Sequence, residues 1–387
     1  MDCLNDSPNL MIVSDLDNTM VDHDDPENLD MLRFNSLWET YYRQNSLLVF
    51  STGRSPTIYK QLRTMKPLLT PDITVMSVGT EITYGESMEQ DIAWQQLISE
   101  NWNRDIVCEE TAKFPDLVLQ SETEQRPHKV SFYVEKYKAT RIMEILLKRL
   151  EERGLDVKII YSNGIALDVL PKAAGKGNAL EYLLRTYEAS GKSPKNVLVC
   201  GDSGNDTDLF TLPKIYGVMV SNALEELLQW HAKNAKNNPN IFHSSERCAA
   251  AIIQAIDKFG LGPHISARDM DDFSLREVDN VSHEVVNFYL FYERWRRAEV
   301  HRSEQSLARF KSVFSPLGIF VNHFGTEQSL QQYLVEVQGY YGDKKRTQFR
   351  VWLDRISSAQ IGVDTWVVKF YQWEQTGKIY PCFLIVM

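Results

Sequence analysis

The chain has 387 residues, 43% of them apolar and 24% charged, and a formal net charge of −10. That is the composition of a folded soluble protein of two or three domains, each able to bury a core without disulfides or a structural metal. The acidic surplus counts against nucleic acid, whose phosphates are held by Lys and Arg, and no apolar run approaches the roughly 18 residues that span a bilayer.

The opening segment Met1-Asp2-Cys3-Leu4-Asn5-Asp6 is acidic and lacks the basic and apolar stretches of a signal peptide. The five cysteines, Cys3, Cys108, Cys200, Cys248 and Cys382, are scattered and form no C-x-x-C pair. Reduced thiols and a cytoplasmic location are therefore expected. From Leu10 to Tyr84 short apolar runs alternate with helix-length segments, the pattern of a parallel α/β sheet. Leu10 to Ser14 and Leu47 to Phe50 read as buried strands, and Ile73 to Val78 and Glu81 to Tyr84 as a strand pair broken at Gly79.

Residues 86–165 read as a small α+β insert. Helical stretches around Trp94 to Trp102 and Ile106 to Phe114 precede a strand at Val130 to Val134. A helix with Ile142, Ile145, Leu146 and Leu150 on one face then ends at Gly154. Val157 to Tyr161 and Ile165 to Leu170 flank Ser162-Asn163-Gly164, a hairpin signal. The α/β rhythm resumes with a helix near Gly177, strands at Val197 to Cys200 and Tyr216 to Val220, and helices around Ala223 to His231 and Ala249 to Phe259. Residues 1–85 and 166–262 are thus expected to form one discontinuous Rossmann-like core. After a charged linker, 275–387 form a further α+β domain. Ser282 is its expected helix cap, with Val285, Phe288, Tyr289, Tyr292 and Trp295 on the apolar face. Phe349-Val351-Leu353 and Trp366-Val368-Phe370 alternate as strands.

Asp15 and Asp17 close the first strand, and side chains two apart on an extended segment point the same way. D-x-D alone is equally a helix cap or a solvated turn. Ser51-Thr52-Gly53-Arg54 ends the next strand with a hydroxyl and a glycine that lets backbone N–H groups approach an anion. Lys176 stands just before a helix, where its ammonium and the helix dipole can act on one phosphate. Gly201-Asp202-Ser203-Gly204-Asn205-Asp206 follows a strand with carboxylates suited to a hard cation such as magnesium. Each piece is common by itself; their order along the chain is not.

The ordered set resembles the haloacid dehalogenase superfamily of phosphotransferases. Asp15 and Asp17 match its first motif, Thr52 its second, Lys176 its third, and Asp202 with Asp206 its fourth, while the insert matches its α/β cap. Val13 to Thr19, Ser77 to Ile82, Pro127 to Ser131 and Cys200 to Asp206 resemble more closely the plant-type sucrose-phosphate phosphatases, along nearly the whole chain. That resemblance implies magnesium-dependent hydrolysis of sucrose 6-phosphate. Asp15 is then the expected nucleophile and Asp17 the acid and base. Asp15, the Asp17 carbonyl, Asp202 and Asp206 are the expected metal ligands, directly or through water. Thr52, Gly53, Lys176 and Asn205 are expected to hold the phosphoryl group. Gln125, Lys129, Asn163 and Asp168 are the expected sugar contacts on the cap.

Another capped phosphatase, for trehalose phosphate or mannosylglycerate phosphate, would carry the same set. A signalling receiver module also gathers acids, a Thr or Ser and a Lys, but has no inserted cap. The last domain resembles the cone-shaped nuclear transport factor fold, and is expected to serve a homodimer or docking to the sugar-phosphate synthase. Plant-type members run on past Met387, so this domain is expected to be truncated and its final strand to lack a neighbour.

Overall fold

The computed structural model describes residues 6–162, 164–270, 281–304, 306, 308, 318–321, 326–363, 366–376 and 379–386. Numbered along the chain, its elements begin with β1 (Met11–Ser14), α1 (Leu29–Tyr41), β2 (Leu47–Ser51), α2 (Pro56–Met65), β3 (Ile73–Met76), β4 (Glu81–Tyr84) and β5 (Glu89–Gln90). Next come α3 (Ile92–Ile98), α4 (Arg104–Thr111), β6 (Val118–Leu119), β7 (Val130–Tyr133), α5 (Lys136–Glu152), β8 (Val157–Ser162) and β9 (Ala166–Pro171). Then follow α6 (Lys176–Ala189), β10 (Val197–Gly201), β11 (Tyr216–Met219), α7 (Glu225–Asn234), β12 (Ile241–His243) and α8 (Cys248–Lys258). The last group is α9 (Val281–Arg296), β13 (Ile319–Val321), β14 (Glu327–Ser329), α10 (Leu330–Gly339), β15 (Phe349–Gln360), β16 (Trp366–Thr376) and β17 (Ile379–Val386).

The chain forms two compact units. The first comprises Met1–His23, Asn45–Leu62 and Pro71–Leu261. Its main sheet has the order β12-β11-β10-β1-β2-β3-β4-β5, parallel as far as β3 and antiparallel from β4 on. Every residue of β1, β2, β3 and β10 is buried, as continuous apolar runs in a doubly covered parallel sheet must be. β1 lies between β10 and β2, where the strand order turns both ways. Its carboxyl end is therefore the crevice in which such sheets bind ligands.

The turn after β3 is strained. Ser77, Val78 and Gly79 have φ of 53°, 58° and 84°, a region that a β-branched residue rarely adopts. Ser77 N–H donates to the Arg54 carbonyl (2.9 Å) and Val78 N–H to the Thr52 carbonyl (3.1 Å), so the turn braces the loop that ends β2. Gly79 also touches the start of α6: a Cβ there would lie 2.3 Å from the Gly175 carbonyl. Gly79→Ala is therefore expected to displace Lys176 and to lower kcat by about 10²-fold or more. Steady-state kinetics beside a circular dichroism melt would check it.

Inserted between β5 and α6 is a second, antiparallel sheet of order β6-β7-β9-β8. Ala139, Ile142, Leu146 and Leu150 of α5 are buried against it. Ile145, expected on that face, is 42% exposed, because the buried stripe follows the four-residue spacing and leaves 145 on its flank. Gly154, with φ of 81°, closes the helix as expected. The insert extends past the expected boundary at 166. β9 pairs along its whole length with β8 and from Ala166 to Val169 with β7, so the chain returns to the main sheet only after Pro171.

The second unit comprises Asp24–Gln44, Arg63–Thr70 and Gly262–Met387. Residues 1–85 are thus not all core, because α1 packs with α9 and β15. A buried ionic cluster accounts for this. Asp354 of β15, 0% exposed, accepts the Thr70 N–H (3.0 Å), the Thr70 hydroxyl (2.6 Å) and Arg43 (3.3 Å). Glu39 pairs with Arg43 (2.7 Å) and accepts the Ile356 N–H (2.8 Å). Asp354→Ala would strand these donors and is expected to destabilise the protein by about 3–5 kcal/mol, read as a lower denaturant midpoint.

Val285, Phe288, Tyr289, Tyr292 and Trp295 of α9 are buried with Phe349, Val351, Leu353, Val368 and Phe370, as their spacing implies, whereas Trp366 is 38% exposed. Ser282 lies inside α9 rather than capping it. The five-stranded sheet has the order β14-β13-β17-β16-β15. The final strand therefore does not lack a neighbour: β13 pairs with it on one side and β16 on the other.

Candidate active site

Asp15 follows β1 directly, and its N–H donates to the Cys200 carbonyl of β10 (3.0 Å). Its carboxylate, nearly buried, meets the Lys176 ammonium at 2.9 Å. Lys176 is the first residue of α6 and is fully buried. It also bonds Asp206 at 2.7 Å. The second Asp206 oxygen accepts the N–H groups of Asp202 (3.0 Å) and Ser203 (3.1 Å), which closes the loop after β10 into a capping box. The ends of β1 and β10 and the start of α6 thus converge on one point, as the motif order implies.

Burial pushes the Asp15 carboxyl up to about 7, with Lys176 pulling it down and Asp206 and Asp17 pushing it further up. Burial also pushes Asp202 up to about 9, reinforced by the neighbouring Asp15 and Asp206. Burial opposes the charge on Lys176, but Asp15 and Asp206 outweigh it and hold the ammonium above its usual range. Three carboxylates around one ammonium leave a surplus of negative charge.

That surplus fits a divalent cation. Oxygens of Asp15, Asp202 and Asp206 lie within 4.8 Å of one another. Asp202 Oδ2 is buried and accepts from no donor among the described residues. A buried, unpartnered carboxylate oxygen is what a hard cation requires. Because the raised groups hold protons that a cation must displace, divalent affinity should fall with falling pH. Calorimetric titration with magnesium is expected to give at least about tenfold weaker binding at pH 6 than at pH 8, with proton release. The sign for folding is opposite. Without cation the native state binds more protons than the unfolded chain above the ordinary carboxylate range, so stability should fall as pH rises towards 9.

Asp17 is held differently. Arg54 grips it through Nε and a terminal nitrogen (both 2.7 Å), and His23 Nε2 lies 2.7 Å from Oδ1. Burial would raise its pKa, but hydrogen bonds from His23 and Arg54 hold it below the usual carboxylate range. Thr52 is fully buried and its hydroxyl accepts the Arg54 N–H (3.2 Å). Gly53 faces Asn205: a Cβ at 53 would lie 3.8 Å from the Asn205 amide nitrogen.

Between the end of the main sheet and the inserted sheet is a cavity of about 350 Å³. Asp15, Asp17, Gly53, Arg54, Asp202 and Asn205 line its floor, and Gln120, Glu124, Lys129, Ser162, Ala166 and Asp168 its roof. Lys129, 1% exposed, bonds Glu124 (2.7 Å) and the Gly53 carbonyl (3.2 Å). Glu124 accepts the Ser55 N–H (3.1 Å), and Ser131 donates to Asp168 (2.6 Å). Arg126 clamps Glu81 (2.7 Å) and Lys158 clamps Asp208 (2.6 Å), tying the insert down on both sides. The insert is a lid over the carboxylate cluster.

Of the four expected sugar contacts, Lys129 and Asp168 line the cavity. Gln125 does not: its amide bonds the Gln120 carbonyl and both backbone groups of Ser131, so it braces the lid. Asn163 lies outside the described residues. Sequence reasoning missed Arg54, Glu124 and His23. Arg54 stands in the tetrapeptide already singled out and Glu124 beside Gln125; nothing local marks His23.

The family profile Sucrose-6F-phosphate phosphohydrolase matches residues 8–260, and Sucrose-6-phosphate phosphohydrolase C-terminal matches 281–387. Sucrose-phosphatase 2 of Nicotiana tabacum is 59% identical over 384 residues, covering 99% of this chain and 90% of the relative. Mannosylfructose-phosphate phosphatase of Agrobacterium fabrum is 30% identical over 257 residues, 66% of this chain and 99% of that one. Among solved structures, the Synechocystis sucrose-phosphatase in complex with sucrose and phosphate aligns with a TM-score of 0.59 and 34% identity. That alignment covers 65% of this chain and 98% of that one.

Proposed function

The chain belongs to the sucrose-6F-phosphate phosphohydrolase family, within the haloacid dehalogenase superfamily, and on that premise we propose that it hydrolyses sucrose 6-phosphate through an aspartyl phosphate on Asp15. The observation that carries this reading is the buried Lys176 bridge between Asp15 and Asp206, with the unpartnered Asp202 oxygen beside it.

Asp15 attacks phosphorus, the bond from phosphorus to the sugar oxygen breaks, and that oxygen takes a proton from Asp17. Water then attacks phosphorus, gives its proton to Asp17, and frees Asp15. Magnesium held by Asp15, the Asp17 carbonyl and Asp202, with Asp206 holding a coordinated water, would supply the positive charge that lets a phosphate dianion meet an anionic nucleophile. Lys176, Thr52, Gly53 and Asn205 hold the phosphoryl oxygens as charge moves onto them.

The Arg54 and His23 bonds keep Asp17 as a carboxylate, the form that accepts the proton from water. Its acid form needs that grip loosened. The substrate phosphate offers Arg54 a competing anion, and one released bond makes Asp17 easier to protonate.

The test is phosphate release with magnesium from sucrose 6-phosphate, trehalose 6-phosphate, glucose 6-phosphate and fructose 6-phosphate. A kcat/KM at least about tenfold higher for sucrose 6-phosphate is expected. A preference for trehalose 6-phosphate would favour the alternative of a different sugar substrate. No described helix is long and apolar enough to cross a membrane, and a cytoplasmic place is part of the proposal. So is dimerisation or docking to the sugar-phosphate synthase through the C-terminal unit. Because that unit includes α1, oligomeric state is better measured on the full chain than after a cut near Pro263.

A further inference from the structure

The turn that carries Asp17 is held by its backbone as well as by its side chain. After β1 the chain folds back tightly, and the Leu16 carbonyl accepts the N–H groups of Met20 (3.1 Å) and Val21 (2.8 Å). Asn18 is left-handed there, with φ of 57°, a conformation that Asn tolerates better than most residues. Its carbonyl is taken by partners from outside the turn. The Asn222 amide donates to it at 2.8 Å and the Cys248 thiol at 3.3 Å.

Asn222 belongs to the loop after β11. That strand is not a neighbour of β1, because β10 lies between them, so the loop reaches over the end of β10. It is anchored on the way: Val220 N–H donates to the Gly201 carbonyl (3.3 Å) and Leu224 N–H to the Asp202 carbonyl (2.7 Å). The Asn222 side-chain oxygen accepts the Cys248 N–H (3.2 Å), and Cys248 opens α8 with φ of 45°. A planar amide supplies donor and acceptor in one fixed geometry. Here each end of it binds a left-handed residue. Such strain persists where the surroundings over-determine it, and it collects at functional sites. Asn222 itself does not line the cavity.

The Asp17 carboxylate is gripped by Arg54 and His23, and that grip has to loosen when a substrate phosphate draws on Arg54. The backbone then keeps the carboxyl in line with the leaving oxygen. We propose that Asn222 is a positioning residue for Asp17, fixing the turn behind it by clamping the Asn18 carbonyl. This rests on the acid role given to Asp17 above.

The experiment uses the full chain with magnesium and compares the parent, Asn222→Ala, Asn222→Asp and Asp17→Asn. Single-turnover rapid quench, with enzyme in excess, follows release of the leaving group. One substrate is sucrose 6-phosphate, whose sugar oxygen needs a proton to leave; the other is p-nitrophenyl phosphate, whose phenolate does not. Trehalose 6-phosphate replaces the first if the parent prefers it, so the identity of the sugar does not enter the comparison. Thermal melts keep every assay below the unfolding of each variant. Asn222→Ala is expected to slow sugar release about 30-fold and p-nitrophenol release by no more than about threefold. Asn222→Asp keeps an acceptor for the Cys248 N–H but sets a carboxylate oxygen against the Asn18 carbonyl, and should show the same selective loss. It carries the comparison if the alanine variant does not fold. An equal loss on both substrates marks a merely structural role and overturns the proposal, as does parent-like sugar release by Asn222→Asp. If Asp17→Asn shows the selective loss and the Asn222 variants do not, the clamp falls while the acid role stands. If Asp17→Asn slows both substrates alike, the acid role falls and the clamp with it.

Discussion

Asp15→Asn is expected to fold as the parent does and to lose at least about 10⁴-fold in kcat. The amide keeps the shape of the carboxylate, so the Lys176 ammonium and the Cys200 carbonyl keep their neighbour. It removes the proposed nucleophile and one negative charge from the cluster. Since burial and the nearby carboxylates already push Asp15 up to about 7, losing that charge relieves repulsion rather than creating it. The cation-free variant should therefore melt no lower than the parent at pH 8, and divalent binding should weaken because one ligand oxygen is neutral. Kinetics, thermal melts and magnesium calorimetry on the same preparation separate these effects. Turnover within tenfold of the parent would remove Asp15 from its role.

Lys176→Met is the counterpart and should fail in both stability and rate. Methionine fills much of the space but leaves Asp15 and Asp206 facing each other without the ammonium that bonds both. Breaking a buried ion pair by removing one partner costs about 3–5 kcal/mol, and here two carboxylates are stranded. The loss should shrink as pH falls, because protonating Asp15 removes part of the repulsion, and should shrink again when a divalent cation is added. Loss of charge stabilisation at the phosphoryl group is expected to lower kcat by about 10³-fold. A variant as stable as the parent at pH 8 without cation would contradict the geometry.

The site was legible where chemistry and local structure coincide. Asp15, Thr52 and Asp202 directly follow strands, and Lys176 opens a helix, so short apolar runs followed by these residues announced them. The lid residues were harder. Glu124 and Gln125 are neighbours at a 3-10 turn, where no period tells which side chain enters the cavity; Glu124 does, and Gln125 braces the backbone. The clustering of α1 with the C-terminal unit rests on Arg43 and Asp354, which are 311 positions apart, a pairing no local pattern encodes. The place of β17 between β13 and β16 is likewise a matter of topology. Its apolar run marked the strand; β16 precedes it directly in the chain, whereas β13 comes from the far end of the domain.

The most direct measurement of the central claim is trapping of the covalent intermediate. Enzyme turning over sucrose 6-phosphate with magnesium is quenched and reduced with borohydride, and its peptides are sequenced by mass spectrometry. An aspartyl phosphate on Asp15 is reduced to homoserine, so the account predicts homoserine at position 15 and only when the substrate is present. Homoserine at another position would contradict it, as would its absence during steady turnover under conditions that trap a control acyl phosphate.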